Sequence, residues 1–152
     1  YGSNKLQPPL GSRDYQQYNY WLHYAEGSLM PPLLLKLVFD KVKNNAMPFF
    51  IKPVAKIISA KVMNSFVAPN IKANLDFVEA HLAKHEWFAG DMLSGADIQM
   101  SFPLEASVAK GTVKDEHPNI NAFVKRIQSR PAYQRALKIG GPYDYGKKIG
   151  SS

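Results

Sequence analysis

Cysteine is absent from this chain of 152 residues. Its absence excludes a disulfide scaffold, a thiolate zinc site, an iron–sulfur cluster and a cysteine nucleophile within these residues. Long apolar runs are missing as well, because the longest, over residues 29–39, contains Pro31, Pro32 and Lys36. That run falls short of the roughly 20 residues that a membrane-spanning helix needs. We therefore expect a protein that does not cross a membrane.

The familiar catalytic motifs are missing too. The sequence contains no G-x-S-x-G, no P-loop and no G-x-G-x-x-G, which are the motifs of nucleophilic serines and of phosphate-binding loops. The carboxylate pair Asp115-Glu116 lies in a predicted loop and is expected to be solvated. By motif alone, the chain has no self-contained active site.

Positive charge is concentrated in one segment. Seven lysines and a single acid, Asp40, lie from Lys36 to Lys72, so this segment contributes +6 of the net charge of +7. A basic segment can attract phosphates or anionic lipid. Arginine, which alternates with stacking aromatics in nucleic-acid grooves, is absent from it. We therefore favour a solvated lysine face with apolar residues packed beneath it over a nucleic-acid or membrane site.

Helical periodicity runs through most of the chain. Apolar residues recur at helical spacing from Tyr15 to Leu29, and Pro31-Pro32 should then bend or break that helix. Residues 33–42 are apolar nearly all round, which predicts deep burial. Period-2 alternation of any length is missing, so we predict an all-α architecture of six or seven helices. The further helices are expected over residues 48–63, with Pro48 in the first position, then 71–87, 95–109, 118–128 and 131–138.

Residues 93–98, Leu-Ser-Gly-Ala-Asp-Ile, carry a helix-start signature. The side chain of Ser94 can accept from the N–H of Asp97, and the Asp97 carboxylate can reach back to the N–H of Ser94. Together these bonds form a capping box, and Leu93 and Ile98 occupy the two positions of a hydrophobic staple. A catalytic carboxylate is the alternative role for Asp97. The complete spacing favours the structural role.

Two histidines stand four residues apart on one predicted helix, His81 and His85. This spacing can hold zinc, but no third ligand converges on the pair and the H-E-x-x-H pattern is missing. We therefore predict no metal site and a polar flank beside Leu82 and Trp87. His117, just before Pro118, is expected to begin a helix.

A dense aromatic cluster lies on the first helix, between Tyr15 and Tyr24. Half of its rings lie off the main apolar stripe, which indicates a helix that packs against two surfaces. The second surface is either another part of the same core or a partner, a subunit or a ligand. Periodicity alone does not choose between them.

Four segments in chain order resemble the C-terminal helical domain of a cytosolic glutathione transferase. Residues 20–31, YWLHYAEGSLMP, resemble the first long helix of that domain in bacterial and fungal-type members. Residues 87–98, WFAGDMLSGADI, are similar to the family's aromatic-x-x-G-D turn and the capping box that follows it. Residues 117–127 and 130–137 look like its two closing helices. The resemblance covers about residues 15–140 and points to a bacterial member.

This resemblance implies a domain organisation and a function. Residues 1–14 would link to a missing thioredoxin-like N-terminal domain, residues 15–140 would form the helical bundle, and residues 141–152 would be a tail. The bundle would form the hydrophobic wall of the electrophile pocket and the dimer contacts of a cytoplasmic homodimer that conjugates glutathione, its co-substrate, to small hydrophobic electrophiles. The chain alone would bind no cofactor, carry no catalytic residue and be inactive. The alternative is a non-catalytic scaffold or adaptor module for protein assembly.

The same resemblance implies a set of substrate-binding positions. Bacterial beta-type enzymes carry polar side chains at the positions of Met30 and Pro31, and here both residues are apolar. The pocket rim is therefore expected to be more apolar, a role that suits the flexible and polarizable side chain of Met. The implied substrate-binding residues are His23, Gly27, Ser28, Met30, Pro31 and Phe102.

Overall fold

The computed structural model describes residues 6–44, 48, 50–141, 143 and 145. These residues form seven α-helices and no strand, which confirms the predicted all-α class. Two π-helical stretches, Ala25–Leu29 and Met63–Val67, join four of the helices pairwise, so the seven helices form five continuous rods. The helices are α1 (Arg13–Tyr24), α2 (Met30–Asn44), α3 (Lys52–Val62), α4 (Ala68–Leu82), α5 (Gly95–Ala109), α6 (Pro118–Ser129) and α7 (Pro131–Gly140).

Of the bend or break predicted at Pro31-Pro32, the break is wrong, because the first rod continues through both prolines. A proline inside a regular α-helix clashes with the carbonyl four residues before it. Here the N–H of Met30 donates to the carbonyl of Ala25, five residues back, so the turn before the prolines is widened. The widened turn gives the pyrrolidine rings room without ending the rod.

The second rod repeats this arrangement before Pro69. The N–H of Ala68 donates to the carbonyl of Met63, and the π stretch joins into one rod two helices that we predicted as separate. This rod also begins later than predicted. Its first turn contains Pro53, while the carbonyl of Pro48 accepts from Ile51 and Lys52 in the turn before it.

The core lies where α1, α4, α5 and α6 meet. The apolar face predicted between Tyr15 and Leu29 is confirmed, because Trp21, Ala25 and Leu29 on this face of the first rod are buried. The start of α5 packs into the same core, since Ala96, Asp97, Met100 and Leu104 are buried along one side of that helix. The largest fully buried side chains are Trp21, Phe88, Phe123, Leu29, Leu75, Met100, Leu104 and Ile120.

The predicted deep burial of residues 33–42 is wrong. Leu34 exposes 56% of its surface, and Leu35, Leu37 and Val38 are exposed as well. In the lysine-rich segment, Leu37 and Val38 are thus exposed, whereas Val67 and Ile71 are buried in the core as expected. The reason is that α2 and α3 pack against each other at the edge of the bundle, and no described helix covers their outer sides. On α3 the uncovered residues Val54, Ile57 and Ile58 recur at helical spacing, and we call them the α3 stripe.

The aromatic cluster of α1 packs against two neighbours within the same domain. Tyr20 and Tyr24 lie against Phe77 of α4, with ring centroids 6.4 and 5.4 Å apart. On the other side the hydroxyl of Tyr18 approaches Gly95 so closely that a Cβ on this glycine would lie 3.0 Å from it. Tyr24 and Tyr18 thus contact other parts of the same domain, while Tyr20 still exposes 47% of its surface.

The ends of the predicted domain are only partly described. Residues 1–5 of the predicted linker, residues 45–47 of a predicted loop and most of the predicted tail 141–152 lie outside the described residues. Within the linker segment, the carbonyl of Leu6 accepts from the N–H of Gly95 at 2.8 Å. In the part of the chain that the structure describes, every helix is too short or too polar to cross a membrane.

Candidate functional site

An apolar cavity of about 320 Å³ lies between α2 and α5, and we call it the apolar slot. Ligand pockets in proteins typically measure about 300–1,000 Å³. Four residues of α2 form one wall at the helical spacing i, i+3, i+4 and i+7. Thr112, Lys36, Asp40 and Lys110 supply its polar groups. Its apolar lining consists of Met30, Leu33, Leu34, Leu37, Phe102, Ala106 and Tyr145.

Tyr145 closes one side of the slot. Its ring meets that of Phe102 nearly edge to face, with centroids 6.0 Å apart. The ammonium of Lys110 lies 5.7 Å from the centre of the Tyr145 ring, a cation–π distance. The neighbouring ring of Tyr143 packs edge-on against Tyr145 at 5.6 Å. The aromatic rings of Tyr143 and Tyr145, near the C-terminus, thus cover one side of the slot.

The buried carboxylate of Glu105 holds this aromatic contact on α5. Glu105 is only 3% exposed and accepts a hydrogen bond from the Tyr133 hydroxyl at 2.6 Å and one from the Gln128 amide at 3.1 Å. The Tyr143 hydroxyl donates a longer bond to its other oxygen, at 3.5 Å. Burial and the nearby Glu105 carboxylate raise the pKa of Tyr143 to about 12. The same two causes raise the pKa of Tyr133 above its usual range.

The structure brings two of the six predicted substrate-binding residues together. Met30 is half-buried on one wall of the slot and Phe102 lies on the opposite wall. The other four do not line the slot and are exposed on the first rod, where their predicted role stays a prediction. They are His23, Gly27, Ser28 and Pro31.

The sequence contained a signal for the α2 wall that we did not use. Leu33, Leu34 and Leu37 follow Met30 at i+3, i+4 and i+7, which places all four on one helical face. The assumed break at Pro31-Pro32 separated Met30 from the three leucines. Ala106 and Tyr145 carry no comparable signal, because their place in the slot depends on how α5 and the C-terminal segment pack.

Asp97 forms the predicted capping box. Its Oδ2 accepts from the N–H and from the hydroxyl of Ser94, both at 2.7 Å, and both halves of the box are present. The structure adds a bond that spacing did not predict, from the N–H of Phe88 to Oδ1 at 2.8 Å. Burial raises the pKa of Asp97, while the bonds from Phe88 and Ser94 act to lower it. Of the predicted staple, Leu93 packs against the core but Ile98 is half exposed.

His81 is packed among aromatic rings and does not form the predicted polar flank. Its ring centre lies 4.6 Å from those of Trp21 and His85, and its plane is parallel to that of Phe88. Burial and the neighbouring His85 lower the pKa of His81. The uncharged form of His81 is therefore the one that suits this aromatic environment.

A charged cluster that the sequence did not reveal links α4 to the start of α6. His117 stands at the start of α6 as predicted, in the N-cap position. It is only 2% exposed, and its Nε2 lies 3.1 Å from Oδ1 of Asp76. The Lys72 ammonium lies 2.8 Å from Asp76 and 3.7 Å from Glu116. Lys72 and, second, His117 lower the pKa of Asp76. Ligand atoms of Asp76, Glu116 and His117 lie within 4.8 Å of one another, and the Lys72 ammonium is paired with both of these carboxylates.

Sequence comparisons with known proteins identify the family of this helical domain. Residues 47–131 match the family model described as glutathione S-transferase, C-terminal domain. The chain is 40% identical over 133 residues to glutathione S-transferase 1 of Saccharomyces cerevisiae, covering 84% of this chain and 57% of that protein. It is 29% identical over 123 residues to glutathione S-transferase 3 of Schizosaccharomyces pombe, covering 81% and 50%. The chain thus spans about half the length of these curated relatives.

Solved structures show the same fold. A glutathione S-transferase from Actinobacillus pleuropneumoniae superposes with a TM-score of 0.69 over 97% of this chain and 60% of its own, at 24% identity. A glutathione transferase from Methylococcus capsulatus superposes with a TM-score of 0.60 over 88% and 58%, at 27% identity. Similar proteins therefore occur in both yeasts and bacteria.

Proposed function

The chain belongs to the glutathione S-transferase family through its C-terminal domain, and from this we propose that it forms the electrophile-side wall of a glutathione transferase. In this function the sulfur of glutathione attacks a small hydrophobic electrophile. The reacting species is the thiolate, so the rate depends on a lowered thiol pKa. Glutathione is the co-substrate of the parent enzyme, and its site and the thiol-activating group belong to a thioredoxin-like N-terminal domain. The cytoplasm is the proposed compartment on the same basis.

The apolar slot is the observation that supports this function. An apolar electrophile that leaves water for the slot gains about 25 cal/mol for each Å² of apolar surface that it buries. Met30 and Phe102 face each other across it. The unbranched thioether of Met30 can adjust to electrophiles of different shape. The slot therefore favours binding by apolar contact and leaves the polar chemistry to the other domain.

The slot is tested by substitutions in the full-length parent enzyme. Met30→Ala and Phe102→Ala should raise KM for a bulky aryl halide and change the ratio of kcat/KM between bulky and small electrophiles. Met92→Ala is the matched control, because Met92 is 75% exposed and does not line the slot. Identical selectivity of the Met30 and Met92 variants would contradict the proposal.

Two further substitutions separate binding from folding. His23→Ala should act like Met30→Ala, with altered selectivity among electrophiles and a normal yield of folded protein. Asp97→Ala should do the reverse and reduce the folded yield. Equal losses of folded protein for all three variants would refute this division of roles.

The chain alone is proposed to be inactive. We expect no conjugation above background when it is mixed with glutathione and an aryl halide, because we place the thiol-activating group in the thioredoxin-like domain. Turnover that depends on the chain would show that the activating group lies within these 152 residues. If the parent protein conjugates no electrophile and binds no glutathione, the scaffold or adaptor alternative is favoured instead.

We also propose that the protein forms a homodimer through the α3 stripe. Its central residue, Ile57, is 69% exposed in the isolated chain, and continuous exposed apolar surface commonly marks a protein interface. Ile57→Glu should therefore shift the parent enzyme to the monomer in sedimentation velocity. Ile139→Glu is the matched control, since Ile139 is 88% exposed on α7, away from the stripe. Dissociation by both variants or by neither would rule out this interface.

A further inference from the structure

Tyr145 is the part of the apolar slot that lies outside its two helical walls. The α2 wall begins at Met30, and the α5 wall contains Phe102 and Ala106. Both walls belong to helices, whose backbone hydrogen bonds fix their shape. Tyr145 follows α7 in the chain and lines the slot from a turn. The position of its ring therefore sets the width of the slot on this side.

Two contacts hold the Tyr145 ring directly against α5. The Phe102 ring meets it nearly edge to face at 6.0 Å, and the Lys110 ammonium lies 5.7 Å from its centre. Aromatic pairs and exposed cation–π contacts are both weak. Among the described residues, the hydroxyl of Tyr145 makes no hydrogen bond. The ring and not the hydroxyl is therefore what places this residue.

A third contact links Tyr145 to a buried carboxylate. Tyr143 packs edge-on against Tyr145 at 5.6 Å, and its hydroxyl donates to Oε2 of Glu105 at 3.5 Å. Glu105 is only 3% exposed, so water has little access to this carboxylate. Its Oε1 already accepts from Tyr133 at 2.6 Å and from Gln128 at 3.1 Å. These two bonds fix the carboxylate and leave Oε2 to Tyr143.

One turn of α5 carries both a wall of the slot and the group that holds its third side. Phe102, Glu105 and Ala106 stand at i, i+3 and i+4, which makes them neighbours on the helix. Phe102 and Ala106 line the slot, while Glu105 beside them is buried. The α5 wall and the Tyr145 ring are therefore held in register by the same helical turn.

We propose that Tyr145 is a specificity-determining residue of the slot and that Glu105, acting through Tyr143, is its positioning residue. This inference rests on the proposed function, in which the slot receives the apolar part of the electrophile. A ring held at this place narrows the slot, gives an aromatic contact to a one-ring electrophile and disfavours a fused-ring one. Glu105 does not line the slot, so its effect reaches the electrophile only through the two tyrosines.

Selectivity of the full-length parent enzyme tests the role of Tyr145. Benzyl chloride and chloromethylnaphthalene carry the same reactive group on one ring and on two fused rings. Tyr145→Ala should lower the ratio of their kcat/KM values, benzyl chloride over chloromethylnaphthalene, roughly two- to tenfold, the effect of one aromatic contact. Tyr145→Phe keeps the ring and should leave the ratio unchanged. An unchanged ratio in Tyr145→Ala, or equal changes in both variants, would overturn the proposal.

Two phenylalanine variants separate positioning from stability. Tyr143→Phe and Tyr133→Phe each remove one hydroxyl that donates to Glu105. Tyr133→Phe loses the shorter bond and should lower the unfolding midpoint more, with the wild-type selectivity ratio, because Gln128 still holds Oε1. Tyr143→Phe should lower the ratio at a smaller loss of stability. Selectivity that follows the loss of stability in the two variants would refute the positioning role.

A double-mutant cycle tests whether Glu105 acts through Tyr145. Propylbenzene is a neutral, unreactive probe of the slot, and the Met30 methyl signal of the full chain reports its Kd. Glu105→Gln should raise this Kd roughly threefold, because the bond from Tyr143 loses its charged acceptor. In the Tyr145→Ala background, Glu105→Gln should have no further effect, and Tyr143→Phe should follow the same pattern.

Equal losses of affinity in both backgrounds would show that Glu105 acts on the fold as a whole, and would overturn the proposal. The cycle needs neither glutathione nor turnover. If the parent enzyme conjugates no electrophile but the cycle shows this coupling, the proposed function fails and the link from Glu105 to Tyr145 stands. If conjugation is normal and the coupling is absent, the link alone fails.

Discussion

Replacing Asp97 by Asn keeps the size of a fully buried side chain and removes one of its two acceptor oxygens. In the native protein, Oδ1 accepts from Phe88 and Oδ2 accepts twice from Ser94. The amide oxygen of Asn can serve one of these sides. Its NH₂ group then faces a backbone N–H that is also a donor, and this N–H is left buried without a partner.

The expected loss follows from these bonds. A hydrogen bond to a charged group contributes about 1.5–3 kcal/mol, and a buried donor without a partner costs about 1–3 kcal/mol. Removing the charge also removes its burial cost, the effect that raises the pKa of Asp97, and this offsets part of the loss. We expect Asp97→Asn to lower the free energy of unfolding by roughly 2–4 kcal/mol at pH 7. That is a large part of the about 5–15 kcal/mol that stabilises a typical domain.

Urea unfolding followed by tryptophan fluorescence measures this loss. Both tryptophans, Trp21 and Trp87, are buried, so their emission reports the exposure of the core. Asp91→Asn is the matched control, because Asp91 is an exposed carboxylate in the turn before α5 and should change the free energy by less than about 0.5 kcal/mol. A loss of less than about 0.5 kcal/mol for Asp97→Asn would refute the reasoning.

The pH dependence of the same difference provides a second check. Because the pKa of Asp97 is raised in the folded state, the fold binds the proton of Asp97 more tightly than the unfolded chain does. The contribution of Asp97 is then greatest below its unfolded pKa of about 3.8 and falls as the pH rises through its folded pKa. The stability gap between wild type and Asp97→Asn should therefore be wider at pH 4 than at pH 7. A gap that widens towards pH 7 would show that the hydrogen bonds outweigh burial.

Four other substitutions test separate parts of the fold. Burial and, second, the nearby Tyr20 raise the pKa of Tyr24 to about 12. The contribution of Tyr24 to the free energy of unfolding is therefore complete below pH 10 and is lost as the pH rises towards 12. In alkaline unfolding curves, Tyr24→Phe should lose less stability over this pH range than wild type does. Glu105→Gln should cost about 1–3 kcal/mol in urea unfolding, because a buried donor loses its acceptor. Gly90→Ala should lower the thermal midpoint, since Gly90 has φ +72° and an added Cβ would lie 2.9 Å from Asp14. In contrast, an added Cβ at Gly27 on the first rod meets open space. Gly27→Ala should therefore stabilise the folded protein by about 0.5–1 kcal/mol.

Local signals predicted the parts of the fold that local chemistry controls. The start of α5 was predicted from the spacing of Ser94 and Asp97, and the starts of α6 and α7 from Pro118 and Pro131. Ser94 and Asp97 supply hydrogen bonds to the first turn of α5, whereas Pro118 and Pro131 have no N–H that would need a partner in the first turn. Such boundaries need no knowledge of the neighbouring helices.

Burial at the edge of the bundle could not be predicted in this way. Residues 33–42 are apolar nearly all round, and this pattern predicts burial only if other elements surround the helix. In this chain α3 covers one side of α2 and α5 approaches another. The apolar slot lies in the space that remains between α2 and α5. Its place therefore depends on packing between distant segments, which periodicity along one helix does not specify.

The prolines of the two rods connect this error to the candidate site. The prolines inside the first two rods, beyond the first turn of each rod, follow a π-helical turn, whereas Pro103 lies inside the regular helix α5, so a proline does not by itself end a helix in this chain. Because α2 continues through Pro31-Pro32, Met30 lies on the same helical face as Leu33 and Leu37. A break at the prolines would turn Met30 away from the leucines and remove one end of the α2 wall. The wall of the apolar slot therefore depends on the π turn at Ala25–Leu29, which keeps the rod continuous where the sequence alone predicts a bend or a break.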